Sequence, residues 1–277
     1  MSTRVDLIYM IKLTQITERF EDMVNYIKQI VHNGQELSSE ERNLFSVAYK
    51  NIISRRRTAL SVLSSIERIE EAKVQSQYVS QNNLKLIRSY KKKIEEELNQ
   101  YCFDILNQID CHLIKTASTP ESKVLLHKMK GDYHRYIWEY ASVDQRKNDI
   151  DSALAAYSTA SNVSNSELKT TNPIRLGLAL NFSAFYYDVM NDAVQAYQLA
   201  QLLLMMLLPI LNKLKMRKAE MQPPLCNQLE ITQNYGPKNL MMKEVELKAF
   251  ENIFKSFFYL FHKGQFIQLR AFYTKLQ

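Results

Sequence analysis

The chain has 277 residues, of which 46% are hydrophobic and 23% charged, a composition that can bury a substantial core and excludes intrinsic disorder. Five glycines and six prolines are too few for a turn-rich β architecture. Lys, Glu, Gln, Leu, Ala and Met recur at helical spacing, and no stretch alternates over many residues, so the fold class is all-α. The net charge of +7 is uneven: from Ala193 onward eleven Lys/Arg stand against five Asp/Glu, which carries +6 of it. Cys102, Cys111 and Cys226 have no paired spacing and read as reduced thiols packed as small apolar groups. Residues Met1 to Arg4 lead straight into an amphipathic pattern with no secretory signal, which places the protein in the cytosol or nucleus.

In chain order, Leu7, Leu13 and Ile16 predict a short first helix, and Phe20 and Met23 start a second that stops at His32-Asn33-Gly34. Ser38 with Glu41 fits a capping box that opens a third, unusually long helix running towards Val79. Asn82-Asn83 is a weak break. A fourth helix follows over Leu84 to Ile114, with Leu84, Ile87, Tyr90, Ile94, Leu98, Tyr101, Ile105 and Ile109 spaced by threes and fours. Thr119-Pro120 and Asn172-Pro173 each place a cap before a proline at the first helical position. They open a fifth helix to about Ser142 and a seventh to about Met190, with a sixth between them from Ile150 to Val163. An eighth runs from Asp192 to about Lys218. Its apolar run Leu202 to Leu211 contains Pro209 and is too short to span a bilayer. Residues 221–238 read as a loop. Residues 239–277 read as a ninth helix, with a stripe of Leu247, Phe250, Phe254, Phe257, Phe258 and Phe261, and a basic tail. The whole, 1–277, is expected to form a single domain.

Three stretches carry chemistry. Arg42 to Arg57 ends in three arginines, and Lys50 lies seven residues before the last. Seven residues turn a helix by about 700° and rise roughly 10 Å, so Lys50 and Arg57 share one face, while Arg55 and Arg56 point elsewhere. Adjacent Arg135 and Tyr136 can offer a guanidinium fork and a phenol O–H to one anion. The third stretch, 172–187, is mostly apolar and holds one amide, Asn181, able to donate to and accept from an extended peptide backbone.

The segments ERNLFSVAYKN, KMKGDYHRYIWE and PIRLGLALNFSAFYYD, in this order, resemble the signature segments of the 14-3-3 family. The resemblance runs from about Leu7 to Asn191 with one short insertion before Asn82. It implies about nine antiparallel helices forming a cup with an amphipathic groove. It also implies a non-catalytic, dimeric adaptor that binds phosphoserine or phosphothreonine segments of client proteins. Carried over by position, the phosphate clamp would be Lys50, Arg57, Arg135 and Tyr136. Asn181 would hold the peptide main chain with Lys128 nearby, and Val47, Leu180 and Ala184 would form the apolar wall. Glu139 and Asp188 would face the clamp and orient its arginines. The dimer seam would use Arg19 and Asp22 of the second helix. Opposite them would stand Ala59, Leu63 and Ile66 of the third helix, with Tyr90, Lys93 and Glu97 of the fourth, and Arg19 would pair with Glu97. The partner would be a second copy of the chain or a paralogue.

The chain departs from the family pattern at its end. Neither Asn239 nor Asn252 has the neighbours of the family's groove-completing helix, and the only Trp, Trp138, sits beside the clamp. A basic, aromatic-rich tail stands where the family has an acidic one. An alternative reading is therefore a degenerate relative that dimerises but binds phosphopeptides weakly or not at all. Other classes find little support. His32, His112, His127, His134 and His262 have no ligand-like spacing, and no Gly-rich phosphate loop or GxSxG is present, so no enzyme activity, metal or cofactor is expected. Lys213, Lys215, Arg217 and Lys218 with the basic tail do not by themselves imply nucleic acid or membrane binding.

Overall fold

Side-chain caps open several helices of this chain, and those of the first and third are reciprocal. In the computed structural model, residues 3–75, 81–141 and 143–206 are described, and all lie in the first of two units, Met1–Lys218. Thr3 and Asp6 form a capping box that starts α1 (Arg4–Ile16). α2 (Phe20–His32) ends at Gly34, whose φ of +71° is a left-handed turn that a glycine adopts without strain. The Ser38 N–H then donates to Glu41 Oε2 at 2.7 Å, and the Glu41 N–H donates to Ser38 Oγ at 3.2 Å, opening α3 (Ser39–Gln75). With 37 residues, α3 spans about 55 Å. α4 (Gln81–Gln108) passes through one π-helical turn, Ile109–Leu113, and an α-helical turn, Ile114–Thr116. Thr119 caps α5 (Pro120–Tyr140), and Asn172 caps α7 (Pro173–Asp188), each with proline at the first turn. Between them lies α6 (Val143–Glu167), and residues 193–206 form α8.

Regular elements among the described residues are all helices, consistent with the all-α expectation, and neighbours in sequence pack as hairpins: α1 on α2, α3 on α4, α5 on α6. One apolar core joins α1 to α5 through fully buried Ile11, Met23, Ile27, Phe45, Ile52 and Leu98. A second joins α5, α6 and α7 through Val124, Tyr157, Phe182 and Phe185, with the Tyr157 and Phe182 rings stacked at 5.2 Å. At Gly131 a side-chain carbon would fall 2.7 Å from the Tyr157 ring, so glycine there permits the close approach of α5 and α6.

Acids tie these helices together at their polar edges. Asp104 on α4 accepts from the Tyr49 hydroxyl (2.7 Å) on α3 and the Lys28 ammonium (2.6 Å) on α2. Glu36 accepts from the Ser118 N–H (3.1 Å), the Ser118 hydroxyl (2.6 Å) and the Ser122 hydroxyl (3.1 Å), fastening the α2–α3 connection to the start of α5. His134 lies 3.0 Å from Asp149, linking α5 to α6, although its sequence neighbours offered it no partner. Cys102 is buried, as expected of a small apolar group, whereas Cys111 is exposed and donates to Asn107.

Both ends of α6 differ from expectation, the helix running from Val143 to Glu167 and not from Ile150 to Val163. α6 begins at Val143 instead of near Ile150, because apolar spacing marks only the turns that bury a face, and its polar first turns leave no such mark. The π turn in α4 is likewise silent in the apolar spacing. The expected loop 221–238, the expected helix and tail 239–277, and the end of the third helix beyond Gln75 lie outside the described residues. No helix among the described residues is long and apolar enough to cross a membrane.

The cap at Glu41 makes a pH prediction. Arg4 donates to both Glu41 oxygens at 2.7 Å, and Glu41 is 2% exposed. The Arg4 hydrogen bonds hold its pKa down, from 4.5 to about 2, against the opposing effect of burial. A lowered folded-state pKa gives stability that is full above the unfolded value and lost as pH falls through the folded one. Glu41→Gln should therefore destabilise the protein by about 1–3 kcal/mol at pH 7. The difference from wild type, measured by thermal unfolding, should shrink as pH falls from about 5 towards 2.

Candidate functional site

The three consecutive arginines of α3 resolve onto different faces, as 100° per residue requires. Arg55 donates to Glu18 at 2.6 Å and lies over the Phe20 ring. Arg56 donates to Glu97 (3.2 Å) and Glu21 (3.4 Å) and covers the Tyr101 ring. Arg57 turns towards α5, where its Nε and Nη2 meet the two oxygens of Glu139 at 2.8 and 2.7 Å.

Around that fork the site assembles. Tyr136, one turn before Glu139, lies beneath the Arg57 guanidinium, 4.2 Å from ring centre to Cζ, and the Arg135 Cζ is 4.8 Å from the same ring. Arg135 is 5% exposed. It reaches Glu139 only at 3.8 Å, and its buried Nε has no hydrogen-bond partner. Two permanently charged guanidinium groups thus share one carboxylate. Burial pushes the Tyr136 phenol up, opposed by the Arg135 charge, so the hydroxyl stays protonated and able to donate. Asp188, at the end of α7, feels both arginines, yet burial raises its pKa above the ordinary carboxylate value.

A second acid organises the adjoining half. Asp132, 6% exposed, accepts from the Lys128 ammonium at 2.7 Å, the Asn181 amide at 2.7 Å and the Tyr157 hydroxyl at 2.6 Å. Lys50, two turns before Arg57, faces this group. Burial lowers its pKa, the like charge of Lys128 lowers it further, and Asp132 partly offsets both. Four cations (Lys50, Arg57, Lys128, Arg135) therefore meet three carboxylates (Asp132, Glu139, Asp188). The surplus is positive, and its donors sit on two separate helices, α3 and α5, held by packing. Such an arrangement can receive a compact anion with several acceptor oxygens.

The structure thus brings Arg57, Arg135 and Tyr136 into contact, and places Lys50, Lys128 and Asn181 around Asp132. Of the expected wall residues, Val47 is half-buried against the first core, while Leu180 and Ala184 are buried at 4% and 2% exposure. Of the expected seam, Ile66 and Tyr90 are exposed at 40% and 53%, Lys93 is exposed, and Ala59 and Leu63 are half-buried. Arg19 pairs with Asp22 of its own chain and Glu97 with Arg56, so both members of the expected Arg19–Glu97 pair already have partners within the subunit. Sequence reasoning passed over Asp132 as a site residue. The available signal was its spacing: it lies four residues after Lys128 and three before Arg135, on the face of α5 turned to both.

A family model described as 14-3-3 protein matches residues 10–229. Protein BMH2 of Saccharomyces cerevisiae is 52% identical over 199 residues, covering 72% of this chain and 71% of that protein. A 14-3-3 protein homolog of Candida albicans is 51% identical over 200 residues, covering 72% and 74% respectively. The 14-3-3 protein 2 of Entamoeba histolytica is 50% identical over 201 residues, covering 73% and 82%.

Sharing of Glu139 has a direct consequence for stability. Glu139→Gln leaves two facing guanidinium groups without their common counter-charge and should destabilise the fold by about 1–3 kcal/mol. Inorganic phosphate should restore part of this, so the rise in Tm with added phosphate, followed by scanning calorimetry, should be larger in the variant than in wild type.

Proposed function

This chain belongs to the 14-3-3 family, and we propose that it is a non-catalytic regulatory adaptor of the cytosol or nucleus that binds phosphoserine or phosphothreonine segments of client proteins. The observation that carries this reading is the buried Arg135, whose Nε has no hydrogen-bond partner and whose ion-pair partner Glu139, 3.8 Å away, is engaged bidentately by Arg57. A phosphate monoester brings a charge of about −1.5 to −2 and three acceptor oxygens, enough to engage both guanidinium groups, Lys50 and the Tyr136 hydroxyl together. A single Asp or Glu carboxylate would leave part of that set unpaired. Asn181 would take the main chain of the bound segment, with Lys128 beside it.

Dimerisation is part of the proposal. Val5, Tyr9, Leu13 and Ile16 on α1, Val62, Ile66 and Ile69 on α3, and Leu86 and Tyr90 on α4 are large apolar side chains left exposed. On each helix they recur at three- or four-residue steps or their sums, which lays them along stripes that a partner subunit would cover. Apolar burial would supply most of the association energy, and the exposed charges would set register.

Fluorescence anisotropy with a phosphoserine peptide and its unphosphorylated twin tests the binding claim. The phosphorylated form should bind at least about tenfold more tightly, a difference of ~1.4 kcal/mol or more. Equal binding of the two overturns it, and equal binding with an intact dimer would leave the dimerisation-partner reading in its place. For the seam, light scattering after size exclusion should give twice the 32.5 kDa chain mass for wild type. Ile66→Glu combined with Tyr90→Glu should give the monomer mass.

A further inference from the structure

We propose that Asp132 is the positioning residue for the main-chain half of this site, fixing which end of the Asn181 carboxamide meets an incoming peptide and holding the Lys128 ammonium beside it. The proposal rests on the phosphopeptide reading above: Glu139 takes the hydrogen bonds of Arg57 in one half of the site, and Asp132 takes those of Lys128 and Asn181 in the other, its charge acting on Arg135 as well.

An ionised carboxylate only accepts hydrogen bonds. The group of Asn181 that lies 2.7 Å from Asp132 Oδ1 must therefore be the amide nitrogen, since a carbonyl oxygen there would face a negative oxygen with no proton between them. That settles the orientation of the carboxamide on chemical grounds. Its Oδ1 and second N–H lie at the other positions of the plane, where they match the N–H and C=O of one residue of an extended peptide. Asp132 is itself immobilised. The Tyr157 hydroxyl donates to the same oxygen at 2.6 Å from α6, and the Tyr157 ring is buried and stacked on Phe182, the residue after Asn181. Gly131, the residue before Asp132, lets that ring press against the α5 backbone. The other oxygen, Oδ2, holds Lys128 at 2.7 Å, one helical turn back. One carboxylate thus transmits the packing of α5, α6 and α7 to two groups that would touch a ligand.

The test uses the full chain with Asp132→Asn, Asp132→Ala and Tyr157→Phe, the last of which keeps the carboxylate but removes one of the groups that hold it. Ligands are a phosphoserine peptide and a series N-methylated in turn at each main-chain amide flanking the phosphoserine. In wild type one methylation should weaken binding about tenfold, through loss of the N–H that Asn181 accepts. Both Asp132 variants should bind the ordinary peptide about tenfold more weakly and lose nothing further on that methylated peptide, while Tyr157→Phe, which keeps the acceptor of Asn181 and Lys128, should lose less than about tenfold on the ordinary peptide and remain sensitive to that methylation. Loss of equal size on every peptide, or no loss on any, from the Asp132 variants overturns the proposal. A second readout needs neither a peptide nor a variant: in nitrogen-15 NMR spectra of the free wild-type protein, the Asn181 side-chain amide should show one proton protected from solvent exchange. Two freely exchanging protons would overturn it. Failure of the adaptor reading would show separately, as wild type that does not prefer the phosphorylated peptide.

Discussion

Much of this structure follows from burying Arg135 beside Arg57 with one carboxylate between them. A guanidinium removed from water is costly unless it is paired and hydrogen-bonded. Here Glu139 takes both forked bonds from Arg57, one on each oxygen, and Arg135 stands 3.8 Å from Oε1 with its Nε unpartnered. The Tyr136 ring lies against both cations and recovers part of the cost through its π face. What remains is unspent cationic field in a fixed place, the condition for an anion site whose donors need little rearrangement on binding. Arginine suits that role better than lysine, because its planar fork can satisfy Glu139 on one edge and keeps its charge at any pH the protein meets.

Holding two like charges together needs a rigid frame, and the chain provides it with acids placed between helices. Asp104 joins α2, α3 and α4. Glu36 fastens the α2–α3 connection to α5, and Asp132 joins α5, α6 and α7. Each collects two or three donors, so each replaces several potential orphans with one satisfied centre. Helix α3 is also anchored at its first turn, where Glu41 is both capping partner and the acceptor of Arg4 from α1. Rigidity at the site is thus built from the helix ends inward.

The legible part of this fold was local. Ser38 with Glu41, Thr119-Pro120 and Asn172-Pro173 announced helix starts because capping is decided within a few residues. The 100° step separated Arg57 from Arg55 and Arg56, and the structure gives the three arginines different partners. The illegible part was non-local. Nothing near Asp132 in sequence shows that Tyr157 and Asn181 will converge on it, since those partners come from two later helices. The same holds for Glu97, which is taken by Arg56 across the α3–α4 hairpin. Polar turns at the start of α6 and the π turn after Gln108 carry no apolar period and so left no trace.

The central claim is that this site carries more cationic charge than its own carboxylates neutralise and so selects a dianion. Phosphorus-31 NMR of a bound phosphoserine peptide, titrated with pH, measures this at the ligand itself. A cationic surrounding favours the charged form, so the second phosphate ionisation should fall well below its ordinary value of about 6 on binding. A midpoint that stays near 6 or rises would mean that Glu139, Asp132 and Asp188 already balance the four cations, and would contradict the claim.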